Sequence, residues 1–172
     1  MTDRALSLDL PDEAATTALG AALARALRDR EASIRERGCT VHLEGDLGAG
    51  KTTLVRGLLR ELGVTGAVKS PSYTLLEPYE VSRLHLYHFD FYRFKSPQEF
   101  SDAGFGEYFG PGAVCLAEWP AKAGEYLPEA DLRIALQVAD AGRRALVGAH
   151  TEIGTACLDR LETFLREARA GA

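Results

Sequence analysis

The run Gly45-Asp46-Leu47-Gly48-Ala49-Gly50-Lys51-Thr52 gathers three glycines, a lysine and a hydroxyl in the order G-x-x-x-x-G-K-T. A phosphate group brings several anionic oxygens. A loop whose backbone N–H groups converge at a helix N-terminus binds them best when no side chain intervenes. Glycine at 45, 48 and 50 permits that approach, and Asp46, Leu47 and Ala49 complete the loop. Lys51 supplies a point charge able to reach β- and γ-phosphates. The Thr52 hydroxyl, followed by Thr53, is suited to a Mg²⁺ ion bridging the same oxygens. Phosphoryl transfer also needs a carboxylate near the metal and a group that positions the attacking atom. Asp90 follows the apolar run Leu84-His85-Leu86-Tyr87-His88-Phe89, and Glu118 follows Val114-Cys115-Leu116-Ala117. Either residue would hold the metal or orient a water. Each alone is also a common solvated or capping residue at a strand end.

These groups need a strand before the loop, a helix after it, and parallel strands ending at the same sheet edge. Residues 40–44 have strand composition, and beyond Lys51 the residues Leu54, Val55, Leu58, Leu59 and Leu62 form one apolar stripe, with Gly63 as a stop. Residues 84–91 and 113–117 read as strands, the second buried on both faces. In an open α/β sheet both would deliver their carboxylates to the edge where the loop lies. Upstream, Pro11, Asp12 and Glu13 open an amphipathic helix carrying Leu19, Leu23 and Leu27, ending near Arg30. Residues 70–76 read as a further strand, and residues 97–100 as a short helix. Residues 132–138 and 144–149 pair across the turn at Asp140-Ala141-Gly142, and a last helix carries Ile153, Cys157, Leu161, Phe164 and Leu165. The expected fold is α/β, a mixed β-sheet of the P-loop NTPase kind flanked by helices, with one domain over residues 1–172.

His85 and His88 have an H-x-x-H spacing, but on a strand that spacing puts them on opposite faces, so two separately packed histidines are expected rather than a shared zinc. Trp119 is the one tryptophan. It either stacks near a nucleotide or packs in a partly buried setting. Cys39, Cys115 and Cys157 include no C-x-x-C pair and read as reduced, buried thiols. A formal net charge of −5 removes the broad basic field that gathers nucleic acid. There is no basic stretch followed by a long apolar run at the start, and no run of eighteen apolar residues, so a cytoplasmic protein without membrane contact is expected. Asparagine is absent. The Asn-Lys-x-Asp element with which GTPases read guanine therefore cannot occur, which favours ATP.

Four segments, ordered and spaced as they are, resemble the bacterial TsaE (YjeE) family. They are residues 45–57 (GDLGAGKTTLVRG), 69–75 (KSPSYTL), 87–93 (YHFDFYR) and 115–120 (CLAEWP), with residues 10–16 (LPDEAAT) similar to the family's opening pattern. The resemblance implies a mixed P-loop sheet and a weak ATPase using ATP and Mg²⁺. It also implies assembly with the TsaB and TsaD proteins to make threonylcarbamoyladenosine at adenosine 37 of tRNAs that read codons beginning with A. It implies that Thr52 and Glu118 bind magnesium, that Asp90 serves the metal or water, and that a loop containing Ser70, Ser72, Tyr73 and Thr74 senses the nucleotide. Nucleotide contacts are implied near Pro11 and Thr16 and from a basic residue late in the chain. Arg143 fits that position, although its neighbour Arg144 leaves the register open. Ser72 stands where the family usually has threonine, and Phe91 where leucine is commoner.

On this reading Lys51 and the loop amides stabilise γ-phosphate charge while Glu118 and Asp90 arrange metal and water. Arg56 and Arg93 are candidates for an arginine finger, which a partner would otherwise supply. The rivals are a small-molecule P-loop kinase, which would need an arginine-rich lid, and a nucleotide-dependent binding switch that does not require turnover.

Overall fold

The computed structural model describes residues 3–171. A seven-stranded sheet runs β1-β7-β6-β2-β5-β4-β3, with β1 (Arg4–Leu10), β2 (Cys39–Glu44), β3 (Leu76–Val81), β4 (Leu84–Asp90), β5 (Ala113–Glu118), β6 (Leu132–Val138) and β7 (Arg143–Ala149). The four central strands are parallel, through the pairs β6/β2, β2/β5 and β5/β4. The remaining pairs, β1/β7, β6/β7 and β3/β4, are antiparallel and finish the two edges.

Side-chain alternation gives each strand two faces. Val114 and Leu116 of β5 join the larger core together with the helices, whereas Ala113, Cys115 and Ala117 join an aromatic cluster behind the sheet. That cluster contains Phe89, Phe91, Phe94, Phe100 and Phe105, partly supplied by the short α4 (Gln98–Asp102). On the other face lie α1 (Glu13–Asp29), α3 (Lys51–Glu61) and α5 (Glu152–Ala170). α1 starts where the Asp12 carboxylate accepts the Ala15 N–H at 2.8 Å, and it buries Leu19, Leu23 and Leu27. α3 buries Leu54, Val55, Leu58 and Leu59 against α1. The two helices cross so closely that a Cβ built on Gly20 would lie 2.1 Å from the Leu54 carbonyl oxygen, and one on Gly57 2.3 Å from that of Thr17. α5 is capped by the Thr151 hydroxyl, which accepts the Gly154 N–H at 3.1 Å. No helix among the described residues is long and apolar enough to cross a membrane.

The expected mixed sheet, the loop between β2 and α3, the two buried parallel strands and the β6–β7 hairpin are all present. Residues 70–75 are not a strand. The Leu75 N–H turns back to the Pro71 carbonyl at 2.7 Å and Leu75 has φ 69, so the chain bends and β3 starts only at Leu76. The edge strand β1, the short α2 (Glu31–Arg37), β3 beyond Leu76 and the short 3-10 turns between residues 105 and 126 have no counterpart among the elements expected from the sequence.

Candidate nucleotide site

β2 ends at Glu44 in the middle of the sheet, and the chain crosses directly into α3 through the glycine-rich loop. Gly45, Gly48 and Gly50 have φ of 146, 80 and 107, conformations that a side chain resists. Inside the loop the Ala49 N–H bonds the Asp46 carbonyl at 3.0 Å. Lys51 and Thr52 form the first turn of α3, where free N–H groups and the helix dipole favour an anion. The Lys51 ammonium is buried, donates to the Gly45 carbonyl at 2.5 Å, and sits 3.9 Å from the centre of the Trp119 ring. Burial lowers its pKa, and the charges of Glu118, Asp90 and Asp46 oppose that shift.

Strand register brings the carboxylates to the loop. Asp90 pairs with Glu118 across β4/β5, and Glu118 pairs with Leu43 across β2/β5, so both acids end their strands level with the end of β2. By alternation they share the α3 side of the sheet with Leu86 and Leu116. Both are buried. The Ser70 hydroxyl donates to Asp90 Oδ2 at 2.5 Å and lies 3.3 Å from Glu118 Oε2. Tyr92 N–H bonds Asp90 Oδ1 at 2.9 Å, and His88 Nε2 lies 2.6 Å from Glu118 Oε2. Immediately after Glu118 the chain turns with Trp119 at φ 56, a conformation costing a non-glycine residue about 1–3 kcal/mol. Trp119 also packs against Tyr92, with ring centres 5.0 Å apart.

A cavity of about 470 Å³ joins these pieces, lined by Lys51, Thr52, Ser70, Asp90, Glu118 and Trp119 among others. Leu47, Gly48, Gly50, Thr53, Ser72 and Tyr73 complete much of its wall. Arg93 also lines it and lies 4.0 Å from the centre of the exposed Tyr73 ring; Arg56 does not line it. A neighbouring cavity of about 230 Å³ is bounded by Asp12, Glu13, Thr16, Thr53 and Arg143 and shares Gly48 and Gly50 with the first. Arg143 donates to the Ala49 carbonyl at 3.1 Å and the Gly48 carbonyl at 3.0 Å, while Arg144 points to Asp9 at 3.3 Å. Of the two arginines, it is Arg143 that lies against the loop. Its position depends on a turn with no room for a side chain, since a Cβ on Gly142 would lie 2.1 Å from the Leu10 carbonyl oxygen.

The residues 10–146 match the family model described as "Threonylcarbamoyl adenosine biosynthesis protein TsaE". The chain belongs to the TsaE family. It is 44% identical over 119 residues to the tRNA threonylcarbamoyladenosine biosynthesis protein TsaE of Haemophilus influenzae, covering 69% of this chain and 75% of that one. The protein of the same name from Bacillus subtilis is 39% identical over 122 residues, 71% of this chain and 76% of its own. Among solved structures, the crystal structure of YdiB from Bacillus subtilis superposes with a TM-score of 0.75 at 29% identity, covering 95% of this chain and 97% of that one.

Of the remaining expected contacts in this TsaE-family chain, Pro11 lines neither cavity; its backbone packs beneath Gly142. Thr74 is exposed outside both. His85 and His88 do lie on opposite faces, but only His88 is packed; His85 is exposed, because β4 turns that face outward at its start. The three thiols are free and buried. The tie between His88 and Glu118 is not signalled by the H-x-x-H spacing. The two-residue step from His88 to Asp90 was the available signal, since it puts both on one face. Asp12 and Glu13, which open α1, also line the smaller cavity.

Among the described residues no three His, Cys, Asp or Glu side chains come together as a metal cage. The donors beside the loop are instead oxygens, from Thr52, Ser70, Asp90 and Glu118. That set fits a hard ion such as Mg²⁺, which takes few protein ligands and keeps phosphate and water oxygens.

Proposed function

We propose that this chain is a magnesium-dependent ATPase of tRNA threonylcarbamoyladenosine biosynthesis. It acts with TsaB and TsaD on the modification of adenosine 37 in tRNAs that read codons beginning with A, and meets tRNA through that complex. One observation carries the reading: Lys51, Thr52, Ser70, Asp90 and Glu118 line a single cavity at the N-terminus of α3. A nucleotide triphosphate seats its phosphates on the loop amides, and Lys51 exchanges the Gly45 carbonyl for phosphate oxygens. Thr52, Asp90 and Glu118 would hold Mg²⁺. When bound, the ion neutralises charge on the phosphate oxygens. Glu118 accepts a hydrogen bond from the attacking water, Asp90 is kept in place by Ser70 and Tyr92, and Trp119 covers the lysine. Thr16 and Arg143 bound the space for the nucleoside. Arg93 is the residue of this chain best placed to approach the γ-phosphate from the cavity wall. Hydrolysis resets the modifying complex between turnovers.

A second reading, a switch driven by ATP occupancy alone, draws on the Ser70 contact. The hydroxyl ties the 70–75 loop to both carboxylates, so a change at the phosphates is felt where a partner can touch. Hydrolysis by the purified protein, alone and then with TsaB, TsaD and tRNA, tests the ATPase reading. A slow rate raised by the complex and abolished by Lys51→Ala is the expected result. A rate indifferent to those partners favours the kinase alternative, to be met with a nucleoside and sugar panel. Glu118→Ala separates turnover from occupancy, because full tRNA modification by that variant would leave only the switch.

A further inference from the structure

We infer that His88 is the positioning residue for Glu118, clamping one carboxylate oxygen so that the other is presented to the cation and water. The inference rests on the magnesium-dependent ATPase reading above. His88 and Asp90 share a face of β4, and the β4/β5 register pairs His88 with Leu116 and Asp90 with Glu118. His88 is thus one diagonal step from Glu118, within reach of an imidazole. Its ring is completely buried, and Nε2 stands 2.6 Å from Glu118 Oε2. An ionised carboxylate can only accept, so the proton of this bond belongs on Nε2.

The two acids differ in what the protein leaves free. Asp90 has both oxygens engaged, Oδ1 by the Tyr92 N–H and Oδ2 by Ser70. Glu118 has only Oε2 engaged, by His88 and more distantly by Ser70, and among the described residues Oε1 has no protein donor. Glu118 is therefore the acid with an oxygen that carries no hydrogen bond from the protein among the described residues. The other ring nitrogen, His88 Nδ1, is buried with no partner among the described residues. Burying an unpaired nitrogen is a cost that leucine or phenylalanine would avoid at this position, so packing alone does not account for a histidine here. The bond from Nε2 does, in the manner of outer groups that orient a metal-binding carboxylate.

The test measures Mn²⁺ affinity of the protein bound to a non-hydrolysable ATP analogue by electron paramagnetic resonance, beside kcat and KM for ATP. In His88→Leu and His88→Asn, Mn²⁺ affinity and kcat should each fall about 10- to 100-fold, with analogue affinity in the absence of metal changing less than about twofold. His88→Gln, whose amide nitrogen reaches the Nε2 position, should recover most of both. In a Glu118→Gln background, His88→Leu should add no further loss, since the clamp acts only through the carboxylate that the first change removes. If His88→Leu does not fold, the contrast between Gln and Asn decides. Variants that bind Mn²⁺ as wild type does, or losses that add independently to Glu118→Gln, overturn the clamp. A wild type that neither binds Mn²⁺ with the analogue nor hydrolyses ATP would instead sink the ATPase reading itself, and the two failures are told apart by that control.

Discussion

Gly57→Ala tests whether the phosphate loop owes its placement to the crossing of α1 and α3. At Gly57 a Cβ would lie 2.3 Å from the Thr17 carbonyl oxygen and 3.0 Å from its carbon. Contact carbon distances are near 3.5 Å, so the helices must part by about 1 Å. The obstacle is helix backbone, which cannot rotate aside, and overpacking of this kind costs about 3 kcal/mol. Alanine returns about 1 kcal/mol of helix propensity. The net loss of about 2 kcal/mol should lower Tm by about 4–8 °C for a chain of this size. Lys51 and Thr52 begin the same helix, and a shift of about 1 Å at a reacting centre costs up to about 100-fold in rate. Calorimetry gives the first number and ATP hydrolysis the second. Gly148→Ala is the control, because its Cβ would meet nothing nearer than the His150 side chain at 3.5 Å. Should Gly57→Ala melt at or above the wild-type temperature, the steric argument is wrong, since propensity alone predicts that rise.

Arg143→Ala removes two guanidinium bonds to loop carbonyls, each worth about 1.5–3 kcal/mol. Titration with a fluorescent ATP analogue should show affinity down about 10- to 100-fold, whereas Arg144→Ala, which loses only an exposed pair with Asp9, should stay within about twofold. Thiol reagents should modify none of Cys39, Cys115 and Cys157 until denaturant is added; Cys115 is pushed up to about 12 by burial, and Cys39 is raised by its hydrogen bond to Cys157 and by burial. Rapid labelling of the native protein would contradict their placement in the core. His42 is buried and its pKa is lowered, chiefly by lost hydration, with Arg133 and His150 adding to the shift and Pro128 and Asp131 opposing it. Below the ordinary value near 6.5 the unfolded chain binds the proton more readily, so stability falls as pH drops through 6.5 toward the folded value. The Tm difference between wild type and His42→Gln, followed from about pH 7.5 to about pH 5, should shrink or reverse on the acid side.

The centre of the sheet was legible because its strands are buried on both faces and its loop residues tolerate little choice. Val41 to Leu43 and Val114 to Ala117 have no polar alternation to obscure them except His42, and the glycines at 45, 48 and 50 mark positive φ by residue type. The edges were less legible. β1 alternates Leu6, Leu8 and Leu10 with Ser7 and Asp9, yet its pairing with β7 lies 133 or more residues away along the chain and no local signal names the partner. β3 contains Pro78, a residue that argues against a strand. The proline is tolerated because β3 is an edge, where one row of N–H groups has no strand to meet. The bend at 70–75 failed for the opposite reason. Tyrosine and threonine favour extended chain, and a Pro71–Leu75 hydrogen bond overrides them.

The site follows from the sheet order rather than from any one motif. β2 lies between β5 and β6, so the loop leaving it is flanked by the end of β5, with its Glu118, on one side and by the hairpin that carries Arg143 on the other. β4 then adds Asp90 one strand further out, at the level of Glu118. Sequence can name the residue types at each strand end, but which strand is the neighbour of β2 is a property of the crossovers. Reversing β5 and β4 would leave each local pattern unchanged and move Glu118 one strand spacing, about 4.8 Å, from the loop. That spacing exceeds a hydrogen bond. The contact between Ser70 and both acids, and the placement of Lys51 against Trp119, therefore depend on long-range strand pairing, and substitutions that weaken the β2/β5 ladder should impair nucleotide binding without touching the loop itself.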